Sequence, residues 1–257
     1  VNCAGRTRSI LGAETLRAFG VSNPVYALQN GTQGWFLAGL KREEGATRSY
    51  PGAPTSEEKL SALRTQAKAR AEKTGLKYVE PAEAAEWLAA TDRSTFLIDV
   101  RSEEEYAADG LPNTRHGLGG QLVQAMDLWV GVRGARVVLM DNEMVRAPMM
   151  ANWLHQIGND VYILNGGVDA MRGVRIPEIP AYNAEKVAAV SPAEIEDDMQ
   201  LVDIRTPRAY RDGHIDGAAW SIRPRFEHLE LSADKPVVLI APDDGTAALA
   251  AQRCGEL

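Results

Sequence analysis

The residues with the densest chemistry are the first nine, Val1-Asn2-Cys3-Ala4-Gly5-Arg6-Thr7-Arg8-Ser9. A short extended lead-in delivers one cysteine into a tight loop carrying a glycine and two arginines. A helical pattern follows at once, with Ser9 as its cap and Ile10, Leu11, Leu16 and Phe19 at its apolar positions. Backbone N–H groups at a helix start, together with two guanidinium groups, lower a thiol pKa and hold a negatively charged substrate. The stretch therefore reads as an anion site with Cys3 as its nucleophile. The competing reading is a buried structural cysteine beside surface arginines, because cysteine is among the most buried residue types.

Composition narrows the classes. The chain has 257 residues, room for roughly one to three domains. Its 45% hydrophobic and 25% charged content is that of an ordinary globular protein rather than a disordered or fibrous one. A formal net charge of −7 argues against nucleic acid as a partner. No apolar run approaches the ~18–20 residues of a membrane span, so no membrane partner is expected, and no signal-peptide pattern is seen. Cys3 and Cys254, the only two cysteines, make no disulfide framework. A reducing, cytoplasmic location is the expectation. His116, His155, His214 and His228 have no Cys or His neighbour at metal-ligand spacing, so no metal site is expected. Cys254, in an Ala-rich helical stretch, reads as core.

Elements must position the loop, and the pattern supplies them. Gly20 and then Pro24 end the first helix. Pro24-Val25-Tyr26-Ala27-Leu28 reads as a strand turned by Asn30-Gly31, and Gly34-Trp35-Phe36-Leu37 opens a small helix with Trp35 in the core. Residues 1–40 are thus the C-terminal half of an α/β unit. Residues 41–76 read as a charged, then Pro/Gly-rich linker through Tyr50-Pro51-Gly52-Ala53-Pro54, followed by a connector helix. A Thr55–Glu58 capping box opens that helix, whose charges read as solvation. Residues 77–176 return to α/β rhythm, with continuous apolar strands at Phe96–Val100, Arg136–Met140 and Asp160–Leu164. Residues 185–257 begin a third round, with Ser191-Pro192 at a helix start and strands at Leu201–Arg205 and Pro236–Ile240. Such strands alternating with helices imply an α/β fold of parallel sheets with helices on both faces.

The rounds repeat one another. Leu97-Ile98-Asp99-Val100-Arg101 returns as Leu201-Val202-Asp203-Ile204-Arg205, about a hundred residues later. The turn Leu28-Gln29-Asn30-Gly31 returns as Leu164-Asn165-Gly166-Gly167. The loop after the central strand occurs three times, beginning at Cys3, Asp141 and Ala241. A period near one hundred residues means tandem domains rather than a solenoid, whose repeats are ~20–50 residues.

These residues resemble the rhodanese (thiosulfate sulfurtransferase) family. Cys3 to Arg8 is similar to its active-site loop, in which a cysteine opens a six-residue loop closed by arginine. Leu201–Arg205 with Tyr210-Arg211-Asp212-Gly213-His214-Ile215-Asp216-Gly217-Ala218 resembles its Asp-x-Arg…Gly-His-Ile-x-Gly-Ala segment. Leu28 to Trp35 resembles its closing Leu-x-Gly-Gly-x-x-x-Trp turn. The resemblance implies tandem rhodanese-like domains and a piece of a longer multi-domain protein. It also implies a persulfide on Cys3, a donor-binding loop of Ala4, Gly5, Arg6, Thr7 and Arg8, and no cofactor. The partners would be a small anionic sulfur donor such as thiosulfate, a cyanide or thiol acceptor, and the remaining parts of the parent chain. Asp99 and Asp203, and likewise His214, take structural roles in this reading.

The departures are as informative. Asp141 stands at the cysteine position of the second module, where Arg146 survives, and a carboxylate there cannot form a persulfide. Ala241 stands at that position in the third module, which keeps neither nucleophile nor arginine. Both modules read as inactive. Two other functions stay open: a non-catalytic binding or scaffolding array, and a cysteine phosphatase-like activity. Phosphatase cradles place five residues between Cys and Arg, and here four separate Cys3 from Arg8.

Overall fold

A computed structural model describes residues 1–48, 55–178 and 187–256. Tyr50–Pro54 of the expected linker, and residues 185, 186 and 257 of the last expected module, lie outside the described residues. Contacts divide the chain into two compact units, residues 1–179 and 180–257.

The first unit begins with α1 (Thr7–Ala18) and α2 (Gly31–Leu37). The strands expected before and between them are extended segments instead. Only two bonds join them, from the Val1 amino group to the Tyr26 carbonyl and from Leu28 N–H to the Val1 carbonyl, too short a pairing to make a ladder. Trp35 is not in the core. It lies 41% exposed, because α2 buries only Gly31 and the indole N–H is satisfied at the surface by the Lys41 carbonyl. Next comes α3 (Glu57–Lys73), capped by Ser56 rather than Thr55: the Ser56 hydroxyl accepts from Lys59 N–H.

The α/β body then runs β1 (Lys77–Val79), α4 (Pro81–Ala89), β2 (Thr95–Asp99), α5 (Glu103–Asp109), β3 (Arg115–His116), α6 (Gly119–Gln124), β4 (Arg136–Met140), α7 (Arg146–Gln156), β5 (Asp160–Leu164) and α8 (Gly167–Ala170). The sheet order is β1-β5-β4-β2-β3 and every pairing is parallel. Side chains alternate across a strand, so a sheet covered on both faces needs unbroken apolar strands. On one face Ile98, Val137, Leu139 and Ile163 pack under α3, α6 and α7, joined by Leu11 of α1. On the other, Leu97, Val138, Met140 and Leu164 pack with Ala84 and Val168. The connector helix α3 does more than present charge to water. Ala67 and Ala71 are buried, and the Arg64 Nε–H donates to the Glu143 carbonyl at 2.9 Å.

The second unit contains β6 (Gln200–Asp203), α9 (Pro207–Asp212), β7 (Ala219–Trp220), β8 (Val237–Ile240) and α10 (Asp244–Gly255). Its parallel sheet, β7-β6-β8, has the order of β3-β2-β4. The two units share their internal fastenings. Asp99 accepts from the Arg101 backbone and guanidinium, as Asp203 does from Arg205. The Tyr106 hydroxyl donates to the Thr114 carbonyl, and that of Tyr210 to the Ala218 carbonyl. His214 stacks on Tyr210 and contacts its carbonyl, a fold role. Among the described residues no helix is long and apolar enough to cross a membrane.

Asp99 is fully buried and the Arg101 side chain is 5% exposed, whereas that of Arg205 is 29% exposed. Removing one partner of a buried ion pair strands the other. Asp99→Ala is expected to cost about 3–5 kcal/mol, and Asp203→Ala less, because water reaches Arg205. Urea denaturation of the two variants checks that ranking.

Candidate active site

Helix α1 has no side-chain cap and no acidic residue in its first turn, so its opening N–H groups have no partner from a cap. Cys3 sits in front of them. The Cys3 thiol donates to the Ser9 Oγ at 3.5 Å, and the Ser9 and Gly5 backbone N–H groups face the sulfur. The thiol pKa is lowered. The Ser9 hydroxyl is the chief cause; burial opposes it, and the N–H groups and then the Arg8 charge add to the lowering.

Ser9 is therefore not the cap that its position suggests. It lies inside α1, 1% exposed, with its hydroxyl 2.8 Å from the Arg6 carbonyl. A hydroxyl hydrogen turns to the better acceptor, so ionising Cys3 draws it from that carbonyl to the sulfur. The sequence signal was its place six residues after the cysteine.

The loop is held from behind. Gly31 has φ +60°, and a Cβ on it would meet the Cys3 and Gly5 carbonyl oxygens at 2.2 and 2.4 Å. From α2, Thr32 and Gln33 N–H donate to the Cys3 and Ala4 carbonyls. The α/β body holds it from the side: α1 packs on α6, where an added Cβ at Gly120 would lie 3.5 Å from the Arg8 Cγ. Arg6 is exposed and Arg8 half-buried, and neither guanidinium has a side-chain or backbone partner among the described residues; the Arg8 Nε is buried and unpaired. Both cations are open to an added anion.

The loop at Asp141 has the same backing and a different content. Gly167 has φ +65°, and a Cβ there would meet the Asp141 carbonyl at 2.2 Å. Its carboxylate is fully buried and accepts from the N–H groups of Val145, Arg146 and Ala147 at 3.3, 3.3 and 3.0 Å. The Asp141 carboxyl thus fills the position before α7 that the Cys3 sulfur has before α1. Arg146 is turned away into a bidentate pair with Glu105, and it also reaches Glu143. In the second unit Ala241 precedes α10, where Asp243 serves as cap by accepting from Thr246 N–H at 2.8 Å. The structure thus gives Cys3 its anion-holding surroundings, and gives the loops at Asp141 and Ala241 neither a nucleophile nor a free arginine. Among the described residues no cluster of His, Cys, Asp and Glu could hold a metal ion.

The body of the first unit is thus a parallel α/β domain whose central strand β4 runs into an N–H-lined loop at the start of α7. Residues 80–173 match the family profile of the Rhodanese-like domain, so that stretch of the chain is a rhodanese-like domain. The crystal structure of thiosulfate sulfurtransferase from Pseudomonas aeruginosa is 37% identical, with a TM-score of 0.72 over 98% of this chain and 54% of that one. The chain spans about half the length of that relative. The polysulfide-sulfur transferase homodimer of Wolinella succinogenes is 25% identical over 51% of this chain and 98% of its own, at a TM-score of 0.38. No curated protein sequence matches. The matched residues 80–173 hold the loop at Asp141, and the loop at Cys3 lies outside them.

Two measurements follow. The Arg146 pair holds Glu105 down to about 2, below its ordinary carboxylate range, while burial raises Asp141. A depressed carboxylate contributes stability that is present above its unfolded value and lost as pH falls through the folded one. A raised carboxylate does the reverse, adding stability as it is protonated. Glu105→Gln, which keeps the capping box with Ser102, should lower stability at neutral pH and flatten the acid loss between the ordinary glutamate value and about 2. Urea titrations at stepped pH read both effects. Second, burial raises Cys254, opposite to Cys3. Mass-spectrometric alkylation against pH should find Cys3 reacting at lower pH than an ordinary thiol and Cys254 at higher pH. Ser9→Ala should move only the Cys3 curve upward.

Proposed function

We propose that this chain is a sulfurtransferase that carries sulfane sulfur from a small anionic donor, such as thiosulfate, to cyanide or a thiol through a persulfide on Cys3. The observation that carries the reading is the contrast between equivalent loops. The one at Cys3 keeps a thiol of lowered pKa before uncapped N–H groups and two free arginines, while the one at Asp141 is filled by its own carboxylate. The 37% identity to a thiosulfate sulfurtransferase supports it.

In the first step the Cys3 thiolate attacks the outer sulfur of thiosulfate. An S–S bond forms at Cys3, the donor's S–S bond breaks, and sulfite leaves with the electron pair. Both reactants are anions, so Arg6 and Arg8 offset their repulsion and orient the sulfonate by bidentate bonds. The terminal persulfide sulfur then takes the place in front of the N–H groups of Gly5 to Ser9. In the second step cyanide attacks that sulfur, the Cys3 S–S bond breaks, thiocyanate leaves and the thiolate returns. Each step conserves charge and needs no external redox partner. In this reading Ala4, Gly5 and Thr7 shape the donor-binding loop. The modules at 77–176 and 185–257 serve as structure, with Asp141 and Ala241 in place of a carrier.

Incubating the intact chain with thiosulfate should add the mass of one sulfur atom to the peptide bearing Cys3. Cys3→Ser should remove that adduct and lower thiocyanate formation by about 10³-fold or more. Failure to form the adduct, or unchanged turnover in Cys3→Ser, would sink the assignment. Aryl phosphate turnover abolished by the same substitution would turn it to a phosphatase.

A further inference from the structure

Helix α6 opens on two consecutive glycines, Gly119 and Gly120, although glycine is among the poorest helix formers. Neither has a left-handed φ, so the backbone does not call for glycine at either position. Close approach does. A Cβ on Gly119 would lie 2.9 Å from the Met150 Cγ and Sδ, so this glycine lets α6 press onto α7. Gly120 faces α1 instead. A Cβ there would lie 3.5, 3.8 and 4.0 Å from the Arg8 Cγ, Cδ and Cβ.

The three distances are alike, so the aliphatic stem of Arg8 runs along the face of Gly120 rather than ending on it. A methyl there would just touch the stem, and a branched side chain would have to displace it. The Arg8 Nε is buried, so the packing extends to the start of the guanidinium. The support beneath is firm: Leu122 and Val123 of α6 are buried in the core that Leu11 of α1 also joins. Holding an arginine this way removes several free rotations and fixes where its charge lies. That charge acts on the Cys3 sulfur. In the loop at Asp141 the corresponding arginine, Arg146, is held by its bidentate pair with Glu105. Arg146 is aimed by charge and Arg8 by shape.

We propose that Gly120 is a positioning residue for the Cys3 site and a determinant of its preference for anionic over neutral reagents. By leaving room for the Arg8 stem, it fixes the guanidinium where that group meets an anion approaching the thiol. The effect on a sulfur donor rests on the reading of Cys3 as a sulfur carrier; the aim of Arg8 does not. A larger side chain at 120 therefore weakens donor binding. It leaves the exchange at sulfur unchanged, because the sulfur keeps the Ser9 hydroxyl and the N–H groups that face it.

The test uses the intact chain. Gly120→Val should raise the KM for thiosulfate about tenfold while kcat changes by less than about twofold. Gly120→Ala, whose methyl only touches the stem, should match the parent chain. A second readout needs no sulfur transfer: alkylation of Cys3 by anionic iodoacetate relative to neutral iodoacetamide should fall about threefold or more in Gly120→Val. In an Arg8→Ala background the valine should change neither readout, since its effect passes through the arginine. Gly120→Leu, a better helix former than glycine, repeats both measurements should valine unfold α6, with circular dichroism reporting the fold. The proposal falls if a folded Val or Leu variant keeps the parent KM and alkylation ratio. It also falls if alanine shifts them as far as valine, or if the effect persists without Arg8. Absence of a Cys3 persulfide in the parent chain would sink the sulfurtransferase reading instead, and the alkylation ratio would still decide the role of Gly120.

Discussion

The first turn of a helix presents N–H groups that the helix itself cannot satisfy, and in this protein the helix after each central strand must find something negative to put there. Three loops give three answers. Before α7 the Asp141 carboxylate is folded in and accepts three N–H bonds. Before α10, Asp243 serves as an ordinary cap. Before α1 no side chain caps the helix, and the group in front is the Cys3 sulfur. An uncapped start costs about 1 kcal/mol. The same open N–H groups add to the lowering of the thiol pKa that the Ser9 hydroxyl chiefly causes, so a small loss of stability and a more acidic thiol meet at one helix start.

The arginines follow the same logic. Arg146 stands five residues after Asp141 as Arg8 stands after Cys3, yet Glu105 and Glu143 pair with it and hold it aside. A change at Asp141 alone therefore leaves that loop without a free cation. Arg6 and Arg8 have no such partners among the described residues. Positive charge held in reserve near a thiol, rather than spent on internal ion pairs, separates a reactive loop from a structural one.

Much of this was legible in the sequence because it rests on local spacing. The Asp-x-Arg ends of β2 and β6, the glycine turns behind the loops and the replacement of Cys by Asp and Ala all sit within a few residues of one another. What escaped depended on distance or on competition between near neighbours. Glu105 lies 41 residues from Arg146, and no pattern joins them. Ser9 fits a cap because serine caps helices, but the helix starts two residues earlier, and the hydroxyl donates to the Arg6 carbonyl while accepting from the Cys3 thiol. Thr55 lost the cap to its neighbour Ser56 for a similar reason. Trp35 was assigned to the core on apolarity alone, although its N–H finds a carbonyl at the surface.

The packing of α1 on α6 means that the loop at Cys3 is not held by its own segment alone. Gly120 of α6 faces the stem of Arg8, at a distance where a single methyl would just touch. The stretch that carries Asp141 in place of a thiol thus supplies part of the wall beside the thiol at Cys3.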